Sequence, residues 1–216
     1  MIVRLDAIGD YVLFRYYIEI VKKSEKYKDY SITLLGNISW KSISNELDKE
    51  IIDEFLWLDR NKFIKDFKYR YTKLQEITSK EYEVLLNPVY SREFFLGDSI
   101  SKLVCAKEKI ASKGDLSNIE KWQKDLTDNY FTNLIEAKND VLFEFDRNKE
   151  FFENLFDINL DIIKPYIELK DKNLGFSLPK NYVVFFIGAS AFQLFTPLYL
   201  HIENLEKLLE KWLKII

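Results

Sequence analysis

Two aspartates and a glycine lie close together at the start of the chain, in the stretch Arg4-Leu5-Asp6-Ala7-Ile8-Gly9-Asp10. A positioned carboxylate can act as a general base, because it takes the proton of a hydroxyl group while that hydroxyl attacks an electrophile. Asp10 is the candidate catalytic residue, and Asp6 is a candidate second carboxylate. Each also has a structural interpretation: Asp10 is a natural helix N-cap, and Asp6 can stabilise the turn. Gly9 allows backbone angles and close approaches that a side chain would forbid.

The elements around these residues predict where they lie in the fold. Residues 2–5 are expected to form a short strand, and residues 11–23 a helix that is apolar on most sides and therefore buried. A strand, a tight turn and a helix place the turn at the carboxyl edge of a parallel sheet. Open α/β folds bind their ligands at that edge.

The same alternation continues along the first 160 residues. Further strands are predicted at 31–35, 55–58, 82–87 and 109–112, and helices at 38–47, 61–77, 94–104 and over most of 118–156. Short apolar strands that alternate with helices indicate a doubly wound, Rossmann-like parallel sheet in an α/β protein. Asp59 is expected to cap the helix 61–77.

The inward faces of two helices are predicted from helical spacing. In the helix 61–77, apolar residues recur at helical spacing, with the lysines and arginines between them forming a solvated face; they are Phe63, Ile64, Phe67, Tyr71, Leu74 and Ile77. In the segment 118–156, ten apolar residues are expected to face inward: Trp122, Leu126, Tyr130, Leu134, Ile135, Phe145, Phe151, Phe152, Leu155 and Phe156.

A second unit is predicted after residue 160. Residues 161–180 are interpreted as an interdomain connection between a domain over 1–160 and the beginning of a second Rossmann-like domain over 181–216. One strand and one helix cannot bury their own apolar faces, so we expect this second domain to be incomplete. Its strand runs into Gly188, Ala189 and Ser190, where backbone amides can cradle a phosphate. A strand-to-helix turn also requires small residues, and both interpretations stay open.

Composition excludes several classes of protein. The net charge of -3 and a pI near 5.5 argue against a nucleic-acid-binding protein. A single cysteine excludes an internal disulfide, and a single histidine, His201, argues against a histidine-based metal site or a Ser-His-Asp triad. Cys105 is expected in the core. No apolar run has membrane-spanning length and no signal peptide is recognisable, so the predicted location is the cytoplasm.

Four stretches resemble glycosyltransferase family 9, the lipopolysaccharide heptosyltransferase family. They are the opening RLDAIGD at residues 4–10, YEVLLNPVYSR at 82–92, FEFDRNKEFF at 143–152 and YVVFFIGAS at 182–190. The resemblance covers most of the chain, and its first motif is the specific one. It implies the GT-B architecture, in which two Rossmann-like domains face each other across a cleft, with the acceptor on the first and the nucleotide-sugar on the second.

The resemblance also implies an activity. This is an inverting, metal-independent transfer of a heptose-like sugar from an ADP-linked nucleotide-sugar to a lipopolysaccharide-core or other glycan acceptor, with no other cofactor. It implies that Asp10 is the general base, that Asp6, Gly9 and Arg92 belong to the acceptor side, and that Gly188, Ala189 and Ser190 bind the donor. For Arg92, a salt bridge is an equal alternative. Lipid-linked acceptors imply at most a peripheral contact with the inner face of the cytoplasmic membrane.

One segment departs from the family pattern. Residues 191–197 read AFQLFTP, without the basic residue and the tryptophan expected before the next helix. We therefore expect the chain alone to bind no nucleotide-sugar appreciably and to be inactive. Two other hypotheses remain: a truncated, non-catalytic remnant that binds a glycan or a partner protein, and a free-standing flavodoxin-like ligand-binding domain.

Overall fold

Six parallel strands form one sheet in the computed structural model, which describes residues 1–161 and 164–167. The strands are β1 (Ile2–Arg4), β2 (Thr33–Asn37), β3 (Glu54–Leu58), β4 (Glu81–Asn87), β5 (Cys105–Ser112) and β6 (Asn133–Ile135). Their order in the sheet is β3-β2-β1-β4-β5-β6. This is the order of Rossmann-like folds and differs from the flavodoxin-like order, so it confirms the predicted sheet and contradicts the flavodoxin-like hypothesis.

Eight α-helices connect the strands within the described residues. They are α1 (Ile8–Phe14), α2 (Tyr16–Lys23), α3 (Lys41–Leu47), α4 (Arg60–Lys65), α5 (Phe67–Ile77), α6 (Ser99–Leu103), α7 (Lys121–Thr127) and α8 (Glu144–Phe156). Short 3-10 turns cover Ile38–Trp40 and Asp128–Tyr130, and a π-helical turn covers Phe94–Asp98. Among the described residues, no helix combines the length and apolar character that crossing a bilayer requires.

The sheet is covered on both faces. Side chains of α1, α2 and α8 form one core, in which Tyr17 stacks on Phe152 with ring centroids 5.3 Å apart. The other core contains Phe63 of α4, Ile77 of α5 and Ile100 of α6. Each face of a parallel sheet must be buried, and helices on both sides achieve this.

Two predicted helices are each divided in two. The helix 11–23 is interrupted at Arg15, which separates α1 from α2. Asp59 caps α4 as predicted, by accepting a hydrogen bond from the Lys62 amide at 3.0 Å. Asp66 then starts α5 by capping the Tyr69 amide at 3.0 Å. Both helices therefore start at an aspartate that caps a backbone amide, but only the start at Asp59 was predicted.

The break at Asp66 divides the predicted apolar stripe of this region: Phe63 and Ile77 are buried and Leu74 packs against them, as their spacing predicts. Ile64, Phe67 and Tyr71 are exposed, with relative accessibilities of 53%, 90% and 65%. A single helix would have placed these three side chains on one face. Because the segment forms two shorter helices, that face is exposed and does not pack against the sheet.

The segment 118–156 is less helical than predicted, because it contains β6. Trp122 and Leu126 of α7 are exposed rather than inward-facing. The other predicted inward-facing residues are buried or pack against the two cores, which confirms that part of the prediction. Cys105 is the first residue of β5 and is also exposed, so its predicted core position is wrong.

The second predicted unit lies outside the described residues. The described residues all belong to the compact unit Met1–Leu169. Of the predicted connection 161–180, only 161 and 164–167 are described, and none of 181–216 is. The proposed domain boundaries therefore stay predictions.

Candidate active-site cleft

A cleft of about 380 Å³ opens at the carboxyl ends of β1 and β4. These neighbouring strands lie where the order of the sheet reverses, with Ile2 of β1 paired to Leu86 of β4. Connections leave β1 and β4 in opposite directions, so a crevice forms between them. Its walls come from the loop between β1 and α1, the start of α4, the segment after β4 and the start of α8.

The loop between β1 and α1 is held by side chains from the ends of the next two strands and the segments that follow them. Asn37, at the end of β2, donates to the carbonyl oxygens of Leu5 and Asp6 at 3.2 and 3.1 Å. Trp40 Nε1 donates to the Asp6 carbonyl at 3.1 Å, and Arg60 Nη1 to the Leu5 carbonyl at 3.1 Å. The backbone that carries both aspartates is therefore fixed before any ligand binds.

Asp10 lies in the first turn of α1 and lines the cleft. It is the third residue of the helix rather than its N-cap, which is Ala7, so the predicted capping position is corrected by three residues. Its Oδ2 atom accepts a hydrogen bond from the Ala7 amide at 3.1 Å. One carboxylate oxygen thus anchors the side chain, and the geometry fixes the rotamer of Asp10 at the edge of the cleft.

Gly9 is also inside α1, and not in a strained turn. A Cβ atom built on it would meet nothing within 4 Å. Neither sterics nor a positive φ within the described residues requires glycine here. In a helix, glycine costs about 1 kcal/mol relative to alanine.

Arg4 is the centre of the charge network behind the cleft. It is completely buried. Its Nη2 atom donates to Glu144 Oε1 at 2.6 Å, its Nη1 atom to Asn148 Oδ1 at 3.0 Å, and its Nε atom lies 2.9 Å from Asp6 Oδ1. The last contact is an ion pair without an aligned hydrogen bond, since neither atom has a hydrogen-bond partner within the described residues. A single cation on β1 therefore joins the loop to α8.

The ionisation of Asp6 is perturbed. Burial raises the pKa of the Asp6 carboxyl to about 6; Arg4 opposes this shift, while Asp10 and Glu144 add to it. The guanidinium of Arg4 does not offset both the desolvation of Asp6 and its repulsion by Asp10 and Glu144. Asp6 is thus a second carboxylate at the cleft with a pKa near neutrality, as well as a residue of the turn.

The opposite wall is built after β4. Asn87 ends the strand and donates from Nδ2 to Asp98 Oδ1 at 3.3 Å. Arg92 is almost fully buried and forms ion pairs with Asp98, at 3.6 Å, and with Asp128. Burial raises the pKa of Asp98, and Arg92 opposes this. Arg92 therefore lines the cleft with its charge already paired.

A glycine fixes the position of this wall. Gly114 has φ +63°, and a Cβ atom there would lie 2.1 Å from the carbonyl oxygen of Tyr90. Both the backbone conformation and the close approach require glycine. The loop after β5 can therefore pack directly against the segment that carries Arg92.

The fold brings together Asp6, Asp10 and Arg92, all of which line the cleft. Gly9 lies on the same helix as Asp10. Gly188, Ala189 and Ser190 lie outside the described residues, so their donor-binding role remains a prediction. The roles of all these residues in binding and catalysis stay predictions as well.

Several cleft residues were missed by the sequence analysis. Glu144 and Arg60 each begin a helix, and Glu93 follows β4; their spacing along the chain gives no sign that they share a cleft. Glu144 lies in the stretch 143–152, which resembles the glycosyltransferase family, but that resemblance gives no separate role to this glutamate. Within the described residues, no three His, Cys, Asp or Glu side chains are placed to hold a metal ion.

Solved structures of E. coli heptosyltransferase WaaC have a similar fold. The structure with ADP matches at a TM-score of 0.53 and 11% identity, over 73% of this chain and 47% of that one. The structure with ADP-2-deoxy-2-fluoro heptose matches at 0.55 and 10% identity, over 76% of this chain and 50% of that one. The chain thus spans about half the length of these structures. No protein-family model and no curated protein matches it.

Proposed function

We propose that this chain contains the acceptor-side domain and the first unit of the donor domain of a glycosyltransferase, in which Asp10 is the general base. The observation that carries the proposal is the anchored Asp10 carboxylate at a cleft on the switch point of a Rossmann-like sheet. The structural likeness to a heptosyltransferase supports the class of reaction. The opening motif, residues 4–10, supports the assignment of Asp10 as the general base.

The proposed reaction transfers a sugar with inversion and without a metal. The hydroxyl of the acceptor donates its proton to Asp10 as its oxygen bonds to the anomeric carbon of the donor. The bond from that carbon to the diphosphate breaks, and its electron pair leaves with the nucleoside diphosphate. Positioned proton transfer of this kind contributes roughly 100- to 10,000-fold. Holding the acceptor in line on a fixed wall contributes through proximity.

The donor is proposed to be an ADP-linked sugar of the heptose type. Both similar structures are described with ADP or an ADP-heptose analogue, which supports this choice. The acceptor is proposed to be a glycan of the lipopolysaccharide-core kind. The donor site is proposed at Gly188, Ala189 and Ser190, where backbone amides would face the diphosphate.

Turnover tests the proposal. In the longest natural protein that carries this sequence, we expect release of ADP from an ADP-sugar only when a glycan acceptor is added, with the sugar recovered on the glycan. Glycan binding without ADP release would favour the alternative, a non-catalytic glycan-binding module. Neither turnover nor glycan binding would contradict both.

A peripheral membrane contact is proposed on the exposed face of α4 and α5. Ile64, Phe67 and Tyr71 are exposed there, and Lys65 and Lys68 are exposed beside them. Phe67 and Tyr71 are four residues apart on one helix, so they share a face. Aromatic side chains with lysines suit an anionic lipid surface, where each lysine contributes about 1 kcal/mol. The first residue of α4, Arg60, lines the cleft.

Vesicle binding tests this contact. The double change Phe67→Ser with Tyr71→Ser should weaken cosedimentation with phosphatidylcholine vesicles containing phosphatidylglycerol at least about 30-fold, because each buried ring contributes more than about 1 kcal/mol. Tyr30→Ser is the control, since Tyr30 is exposed near the amino-terminal edge of the sheet. Equal binding by the double variant, or equal binding to vesicles without phosphatidylglycerol, would argue against the assignment.

A further inference from the structure

Two stacked aromatic rings lie next to the segment that carries Asp6 and Asp10. The rings of Tyr11 and Trp40 are parallel to within 5°, with their centroids 3.9 Å apart, and both side chains are completely buried. Neither of them lines the cleft. Tyr11 is the residue after Asp10 in α1, so its ring attaches the first turn of that helix to Trp40.

Each ring also holds one end of this segment through a hydrogen bond. Trp40 Nε1 donates to the carbonyl oxygen of Asp6 at 3.1 Å. The Tyr11 hydroxyl donates to the buried carboxylate of Asp48 and lies 2.7 Å from Ser44 Oγ. Ser44 belongs to α3, and Asp48 follows that helix. The loop before α1 and the first turn of α1 are thus both attached to the segment between β2 and β3.

A glycine on β2 makes room for the stack. A Cβ atom on Gly36 would lie 2.2 and 2.6 Å from Cη2 and Cζ3 of the Trp40 ring. Gly36 is paired with Arg4, the last residue of β1. The indole ring therefore packs directly on the backbone beside the strand that leads into the loop, and this close approach requires glycine.

Helix α1 depends on this packing for its position. It has seven residues, and isolated helices of that length are not stable in water. Its buried side chains are Tyr11 and Phe14, and Tyr11 is the one adjacent to Asp10. The place of the Asp10 carboxylate therefore depends on where the ring of Tyr11 is held.

From these observations we propose that Tyr11 and Trp40 are positioning residues for the general base: as one stacked pair they hold the Asp10 carboxylate at a fixed place in the cleft. The inference deepens the proposed function and rests on it for the role of Asp10 as the base. The pair touches no part of the cleft itself, so it acts through the backbone of residues 6–11.

A conservative change isolates the contribution of the indole. Trp40→Phe removes the Nε1 donor and keeps an aromatic ring for the stack on Tyr11. The Asp6 carbonyl stays satisfied, because Asn37 Nδ2 donates to it at 3.1 Å. The variant therefore loosens the loop without leaving a buried carbonyl oxygen unpaired.

A second change has a matched control elsewhere in the same core. Tyr11→Phe removes the hydroxyl, while Asp48 keeps its ion pair with Arg15 at 2.6 Å. Tyr17→Phe is the control, because Tyr17 is equally buried and stacks on Phe152 with ring planes 10° apart. Its hydroxyl also makes one hydrogen bond, to a backbone carbonyl at 2.9 Å, and it does not line the cleft.

Hydrogen exchange measures the positioning without any substrate. In the longest natural protein that carries this sequence, NMR would follow the Ala7 amide, which donates to Asp10, and the Tyr69 amide, which donates to Asp66 at the start of α5. In both stack variants we expect the Ala7 amide to exchange about three- to tenfold faster relative to the Tyr69 amide, as for the loss of one local hydrogen bond. Tyr17→Phe should leave this ratio at its parent value.

Transfer rates then connect the pair to the base. Well below the unfolding temperature, each stack variant should lower kcat about 10- to 100-fold with the KM for the donor unchanged, as for a small misplacement of a catalytic group. In an Asp10→Asn background the same changes should have no further effect, because the group that the pair positions is absent. A merely structural role would lower the rate equally in both backgrounds.

A parent-like exchange ratio in either folded variant would overturn the proposal, as would equal rate losses in the two backgrounds. If Trp40→Phe does not fold, Tyr11→Phe decides alone. Faster exchange of the Ala7 amide with no transfer from any ADP-sugar would keep the positioning of Asp10 and reject the proposed catalytic function.

Discussion

Asp10→Asn should lower the rate of glycosyl transfer about 100- to 10,000-fold in the longest natural protein that carries this sequence. Asparagine has nearly the same shape, and its Oδ1 atom can still accept the hydrogen bond from the Ala7 amide that Asp10 accepts at 3.1 Å. The helix start is therefore preserved, while the group that takes the acceptor proton is lost. Steady-state rates with saturating donor, together with a thermal unfolding curve, measure both consequences.

A matched substitution separates catalysis from capping. Asp66 also bonds a backbone amide at the start of a helix, that of Tyr69 at 3.0 Å, but it does not line the cleft. Asp66→Asn should leave the rate within a few-fold of the parent. If Asp10→Asn also stays within a few-fold, with folding intact, Asp10 is not the base.

Asp6 is the rival carboxylate. Its pKa of about 6 lies closer to neutrality, which favours a general base, but its Oδ1 atom faces Arg4 at 2.9 Å. Because that oxygen is held in an ion pair with Arg4, it is not free to take the proton of an acceptor hydroxyl. We therefore expect Asp6→Asn to reduce the rate less than Asp10→Asn. The opposite ranking would assign the base to Asp6.

Arg4→Met should destabilise the protein by about 3–5 kcal/mol, the usual cost of removing one partner from a buried ion pair. Arg4 is completely buried and is shared by Asp6, Glu144 and Asn148. It also lies over the ring of Phe14, 4.6 Å from its centroid. Methionine can fill the volume, but it leaves the carboxylates and the amide without their donor. Urea unfolding measures the loss.

The pH dependence of this loss follows from Asp6. Burial raises the folded pKa of Asp6 to about 6, above its value in the unfolded chain. The folded state therefore binds the proton more tightly, and the stability that this group contributes is present at low pH and lost as pH rises through about 6. Without Arg4, which opposes the shift, the folded pKa rises further. The deficit of Arg4→Met should thus be larger near pH 8 than near pH 5.

Two further variants make this result specific. Arg70→Met removes a half-buried arginine that also lies 4.6 Å from a ring centroid, that of Phe63, but that donates to a serine hydroxyl. It should cost about 1 kcal/mol or less, without the pH dependence. Adding Asp6→Asn to Arg4→Met should recover part of the loss. A deficit that is the same at both pH values and is not recovered would show that Arg4 acts through packing alone.

The sequence by itself determined the parallel α/β sheet, the strand and helix that carry Asp6 and Asp10, and the cap at Asp59. These follow from local rules, because apolar runs, turn residues and capping side chains act over a few neighbouring positions. Local rules failed where they gave no clear signal. Helical spacing predicts one continuous helix across Asp66, where the structure has a break. The three-residue strand β6 lies in a stretch whose apolar residues also have helical spacing.

Only the tertiary structure decided what surrounds Asp10. Arg4 meets Glu144 across 140 positions and Asn148 across 144, and Arg92 meets Asp128 across 36. Such pairs depend on the order of the strands and on where each helix returns to the sheet, and neither leaves a periodic trace in the chain. The charged groups that surround Asp10 are therefore brought together by the folded sheet and not by any single motif.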